Sequence, residues 1–273
     1  MINFKIALFS GVALVSGLIR FKVIVEFGEP ELLGFVTTVL SISTLLATSS
    51  FGNLWSVAFL HGPRIYEKVL SAVLFRPMVR VCKQSLIFLI PIALCSFSFF
   101  SGDYLIEAIF VMFMLASQVS VFTTVAYLRA SSEELFLSRI TMINNLLTTS
   151  SIFLLAANTW SQVIIISSLF NFLQWGIVIF INRRKFEIRE LMKFSQRYAQ
   201  MEIQGKQSAL IPLAPLFFDV YWRAILLLGA SWTDLGLIQP AIQFVLVIEP
   251  MLIHLAFAFG NKEIRNGLFK GNV

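Results

Sequence analysis

The sequence predicts an all-α fold, a polytopic membrane helical bundle of about eight transmembrane helices. Three observations predict it. Of 273 residues, 58% are hydrophobic and 13% charged, and the mean hydropathy is +0.83. A soluble domain needs roughly 25% charged residues to keep a polar surface. The apolar runs are long and continuous, whereas a membrane barrel shows ~10-residue alternating segments, and lipid permits only these two solutions. Lys and Arg cluster in alternate connections between the runs, as they do in membrane proteins that keep cations on the cytoplasmic side.

A spanning helix needs about 20 mostly apolar residues. The first is expected over 4–26, read as an uncleaved helix because Arg20 and Lys22 follow its start with no small-residue cleavage site. The turn Gly28-Glu29-Pro30-Glu31 closes it. The second covers 32–60 and is interrupted near Gly52-Asn53. The third covers 84–100, the fourth 104–128 and the fifth 140–157. The sixth covers 160–181, the seventh 208–230 and the eighth 235–260. The connections 61–83, 129–139 and 183–206 and the tail carry the cations, while the turns at 27–33, 101–103, 158–159 and 231–234 carry none. Both termini are therefore expected in the cytoplasm, and the net charge of +6 reads as topology, with no nucleic-acid partner. The stretch 64–80 alternates Val69, Val73 and Met78 with Lys68, Arg76 and Arg80. It suits either an anionic inner leaflet or a solvated connector. Cys82 and Cys95 imply no disulfide framework.

Several charges fall inside expected helices, where a charge costs several kcal/mol and tends to face a cavity or a partner. At 1.5 Å per residue, Arg20 and Arg223 stand ~24 Å and ~22 Å above the inner ends of their helices, in the outer half of the membrane. A wet cavity is expected around both, against the alternative of snorkelling to the interface. Lys22, with Glu26 one turn on, suits snorkelling. Asp219 and Arg223 are spaced i, i+4 and can pair. Glu249 precedes Pro250, which breaks the helix and frees carbonyls, so Asp219 and Glu249 are the candidates for ion coupling. The alternative is a protonated Glu249 packed between helices. Glu107 is the remaining intramembrane anion, and His254 is expected to be a packing residue. Phosphate loops, metal-ligand clusters and nucleophile elbows are absent from the sequence, so no enzyme activity, metal or cofactor is expected. The 28 Phe are expected to face lipid.

Two stretches echo each other. Arg20 is followed by an acidic turn and Leu33-Gly34, and Arg223 by an acidic turn and Leu235-Gly236, with the glycines 202 residues apart. The pattern suggests a duplicated six-helix unit. The turn Phe27 to Gly34, the Gly52-Asn53 break and the segment Trp222-Arg223 through Gly236 resemble Wzx-type flippases of O-antigen and enterobacterial common antigen, within the MOP exporter superfamily. The resemblance implies a MOP/MATE-like architecture: residues 1–182 as a six-helix transmembrane lobe, 183–206 as a cytoplasmic linker, and 207–273 as the first two helices of a second lobe that lacks its last four or so. It implies flipping of undecaprenyl-pyrophosphate-linked oligosaccharide across the bacterial inner membrane, with the bilayer and other polysaccharide-assembly membrane proteins as partners. It also implies that basic cavity residues bind substrate, a role that Arg20 and Arg223 fit, and Lys22 is a further substrate-binding candidate. Competing readings are a drug or ion antiporter, a membrane polymerase or acyltransferase, and a non-functional remnant. The short outer turns argue against an outward catalytic site.

Overall fold

The protein, seen in a computed structural model, is described over residues 2–51, 54, 73–84, 103–131, 133–183, 196–208 and 210–239. Among these residues the regular structure is entirely helical. The main helices are α1 (Ile2–Phe51), α2 (Asp103–Ala130), α3 (Glu134–Leu154), α4 (Trp160–Asn182), α5 (Gln196–Gln207) and α6 (Leu210–Gly229). Residues 73–84 and 232–239 are also helical. Among the described residues, three stretches are long and apolar enough to cross a membrane: Phe4–Phe51, Ile109–Ala130 and Trp160–Asn182.

The expected first two helices are the two limbs of α1, which meet at a non-helical kink at Glu29, with φ 64° and ψ 164°. Pro30 follows directly. Its ring removes a backbone donor and disfavours helical geometry in the residue before it, so the strain falls on Glu29. The two limbs, 2–28 and 30–51, pack together through Val23, Ile24, Leu32, Leu33 and Val36, with Ile152 and Val163 closing the cluster. Helices α1 to α4 pack on one another around this hairpin.

The expected fourth, sixth and seventh helices are α2, α4 and α6. Several other expectations need correction. The connection 129–139 is almost all helix, because α3 begins at Glu134 and includes Arg139. The Arg139 guanidinium lies 5.5 Å from the centre of the Phe9 ring, which lets a cation sit on a helix beside apolar neighbours. The helix after 231 starts at 232 instead of 235. Ser231 caps it: the Ser231 N–H and hydroxyl each donate to Asp234 Oδ2 at 2.8 Å. Thr159 caps α4 in the same manner with Gln162.

On the opposite end of the bundle, Val73, Leu74, Met78 and Val81 are buried against protein. The apolar face of 73–84 therefore meets neither lipid nor water. It packs on Ala47, Phe51, Val119 and Met201. The 183–206 segment contains α5, whose Met201 joins that core. Glu202 of α5 pairs with Arg80 and, at 3.5 Å, with Lys206. The expected third helix with Cys95, the Gly52-Asn53 break, Lys68 and Val69, and the eighth helix beyond 239 with Glu249, Pro250 and His254 lie outside the described residues. So does the side chain of Glu107.

Candidate functional site

Arg20 is held on α1 by α3. Its Nη2 donates to Asn145 Oδ1 at 2.8 Å and its Nε to Thr149 Oγ1 at 3.4 Å. Asn145 is fixed in turn by donating to the Ala13 carbonyl at 3.1 Å. Thr149 donates to the Ser16 carbonyl at 3.1 Å and accepts from the Ser16 hydroxyl at 3.2 Å. This network locks the guanidinium in place, so a ligand there meets fixed donors instead of a mobile chain.

Arg20 lines a cavity of about 290 Å³ enclosed by both limbs of α1 with α2, α3 and α4. Most of the wall is apolar, but amides and hydroxyls converge on it: Thr37, Gln118, Thr141, Asn144, Asn171 and Gln174. Asn144 donates to Asn171 Oδ1 at 3.1 Å, and Asn171 donates to Ser117 Oγ at 3.2 Å. The amides tie α2, α3 and α4 together, as uncharged polar side chains do between membrane helices. The sequence reading missed this group because its search followed charge. Three asparagines inside two apolar helices were the available signal.

Arg223 sits elsewhere. Its side chain is 1% exposed. Nε and Nη2 both donate to Asp219 Oδ1 at 3.3 Å, so the i, i+4 pair is formed. Trp222 Nε1 donates to the same oxygen at 3.1 Å, and the Trp222 ring lies 4.8 Å from the guanidinium. The third contact crosses to α1, where Nη1 donates to Thr37 Oγ1 at 3.2 Å. Arg20 and Arg223 do not line one cavity, but they flank the same residue. Thr37 accepts from one and shares a cavity wall with the other. Lys22 is exposed and lines neither place. Glu249 lies outside the described residues.

The two arginines differ because their turns differ in length. Gly34 lies 14 residues after Arg20, and Gly236 lies 13 after Arg223. One residue rotates a helical side chain by ~100°. Arg20 therefore points into its own bundle, whereas Arg223 points across the seam. At that seam the two turns touch. A Cβ on Gly34 would collide with the Trp232 carbonyl, and one on Gly236 would collide with the Pro30 carbonyl. Phe35 packs on Trp232 with ring centres 5.4 Å apart.

Among the described residues, no group of three His, Cys, Asp or Glu side chains comes together in a way that holds a metal ion. Comparison of the chain with protein-family models, with curated proteins and with solved structures found no match.

Proposed function

We propose that this chain is a membrane translocator of an anionic, lipid-linked oligosaccharide, of the Wzx type and MOP-like in architecture. On this reading it acts in the bacterial inner membrane with both termini in the cytoplasm. The observation that carries the reading is that Arg20 lines a cavity inside the first bundle whose wall includes Thr37, the residue that Arg223 bonds from across the seam. A pyrophosphate carries at least two negative charges, and its unpaired transfer into hydrocarbon is prohibitively costly. Locked guanidinium groups replace its water, and the planar fork of Arg bonds two oxygens at once. No bond is made or broken in such a cycle. The lipid tail remains in the bilayer while the polar head follows the seam. Asp219 holds Arg223 when no head group is present, so the carboxylate is the group that a substrate or an ion exchanges against.

The test is restoration of surface polysaccharide in a flippase-deficient host, with protein level measured alongside. Arg20→Ala should lose most of the restoration and Arg20→Lys should recover only part of it, because charge without the fork cannot bridge two oxygens. Lys22→Ala should be mild. Full restoration by Arg20→Ala at equal protein level overturns the reading.

A further inference from the structure

A second recess opens at the turn end of the bundle, away from the Arg80–Glu202 pair. Its volume is about 590 Å³, within the ~300–1,000 Å³ range of small-ligand sites. The kinked turn of α1, the α3–α4 connection and Trp232 wall it. Four rings form its apolar side. Phe35 stands between Trp160 and Trp232, 5.4 Å from each, and Phe110 meets Trp160 at 4.9 Å. Glu29, Glu31 and Asn158 stand on its polar side, and among the described residues no Lys or Arg lines it.

What distinguishes this recess is unspent hydrogen-bonding capacity. The indole N–H of Trp175 donates to the Leu74 carbonyl at 3.2 Å and that of Trp222 to Asp219 at 3.1 Å. The indoles of Trp160 and Trp232 have no such acceptor among the described residues, and the carboxylates of Glu29 and Glu31 have no donor there. The recess thus offers aromatic surface, free donors and free acceptors together. A pyranose ring needs all three, since it has an apolar C–H face and hydroxyls that both donate and accept. An organic cation would use the rings and the carboxylates but not the indole N–H groups. A pyrophosphate would be repelled by two carboxylates with no cation beside them.

We propose that this recess is a sugar-binding subsite that takes one or two uncharged pyranose units. It rests on the translocator reading for the source of the sugar, a glycan leaving the seam, but not for the chemistry of the site.

The experiment is saturation-transfer NMR on the full chain in lipid nanodiscs. The probes are methyl glycosides of glucose, galactose and N-acetylglucosamine, with tetraphenylphosphonium as the cationic alternative. At least one glycoside should receive saturation at its ring C–H protons. Glu31→Gln and Trp160→Phe should each weaken its Kd roughly tenfold, the loss of one charge-assisted or buried hydrogen bond. Glu31→Gln keeps the shape of the wall, Trp160→Phe removes part of one ring together with its N–H, and the melting temperatures of both serve as the folding control. Three outcomes overturn the proposal: no transfer to any glycoside, transfer that neither variant weakens, or binding of tetraphenylphosphonium alone. Because the readout is binding of free sugar, it can fail while translocation stands. Loss of translocation in Arg20→Ala likewise leaves it untouched.

Discussion

The backbone contact between the two turns gives the same substitution opposite signs at two sites. At Gly236 an alanine Cβ would stand among the carbonyl O, the carbonyl C and the Cα of Pro30. These are backbone atoms, and the proline ring stiffens them further, so the neighbour cannot swing aside. The helices must part, and overpacking of this kind costs typically ~1–3 kcal/mol. Alanine also recovers helix propensity, worth up to ~1 kcal/mol against glycine. The clash should win, leaving a net loss of about 1–2 kcal/mol. At Gly176, in the middle of α4, nothing lies within 4 Å of the same added carbon. Only the propensity remains there, so Gly176→Ala should be neutral or stabilising by up to ~1 kcal/mol. The assay is reversible unfolding by SDS titration in mixed micelles, followed by far-UV circular dichroism. If Gly236→Ala proves as stable as Gly176→Ala, the two turns do not meet as described and the seam argument fails.

Ala156 holds φ 45° just past the end of α3, a left-handed position that glycine occupies without cost. Ala156→Gly should therefore stabilise the protein by about 1 kcal/mol in the same titration. Asp219→Ala should cost about 3–5 kcal/mol, because it leaves the buried Arg223 without a carboxylate and with only Thr37 and the Trp222 ring beside it among the described residues, and Asp219→Asn, which keeps an acceptor, should cost less. The Ser231 backbone N–H and hydroxyl hold the Asp234 carboxyl below the usual carboxylate range. A depressed folded value means that the cap is intact above the ordinary pKa of ~3.9 and is lost as pH falls through the lowered one. Melting curves of wild type and Asp234→Asn should thus differ at neutral pH and converge in acid; parallel curves would contradict the cap.

The sequence made the helical class and several spans readable for one reason. Long apolar runs have few alternatives in lipid, and Trp160–Asn182 differs from its expected range by one residue at one end. The errors arose where a cation was read as a loop marker. Arg139 sits on the exposed side of a helix that begins at Glu134, with Phe9 beside it, and a neighbour distant in sequence leaves no local trace. The same holds for 73–84 and Gln196–Gln207. The charges of the first suggested an anionic leaflet or solvent and those of the second a cytoplasmic linker, while Val81 and Met201 turn inward into one core. At the candidate site, Arg20, Asp219 and Arg223 stood out as charges among apolar residues. Which way each points followed from a one-residue difference between two turns, which the echo contained but which only the geometry gave meaning. Asn145 was silent because a neutral amide barely lowers the hydropathy of its helix.

The meeting of the two turns has a consequence for assembly. Pro30 and Trp232 are 202 residues apart, as are Gly34 and Gly236. The contact of Gly34 with Trp232 and that of Gly236 with Pro30 are therefore each other's image when the halves are exchanged. A surface that pairs with its own image is what a two-fold homodimer makes. The two sides are not equal in charge, since Arg223 has Asp219 one turn before it and Arg20 has Ser16 there. Residues 1–182 contain Pro30 and Gly34, the counterparts of Trp232 and Gly236, so two copies of that segment can make the same contact and should sediment as a dimer.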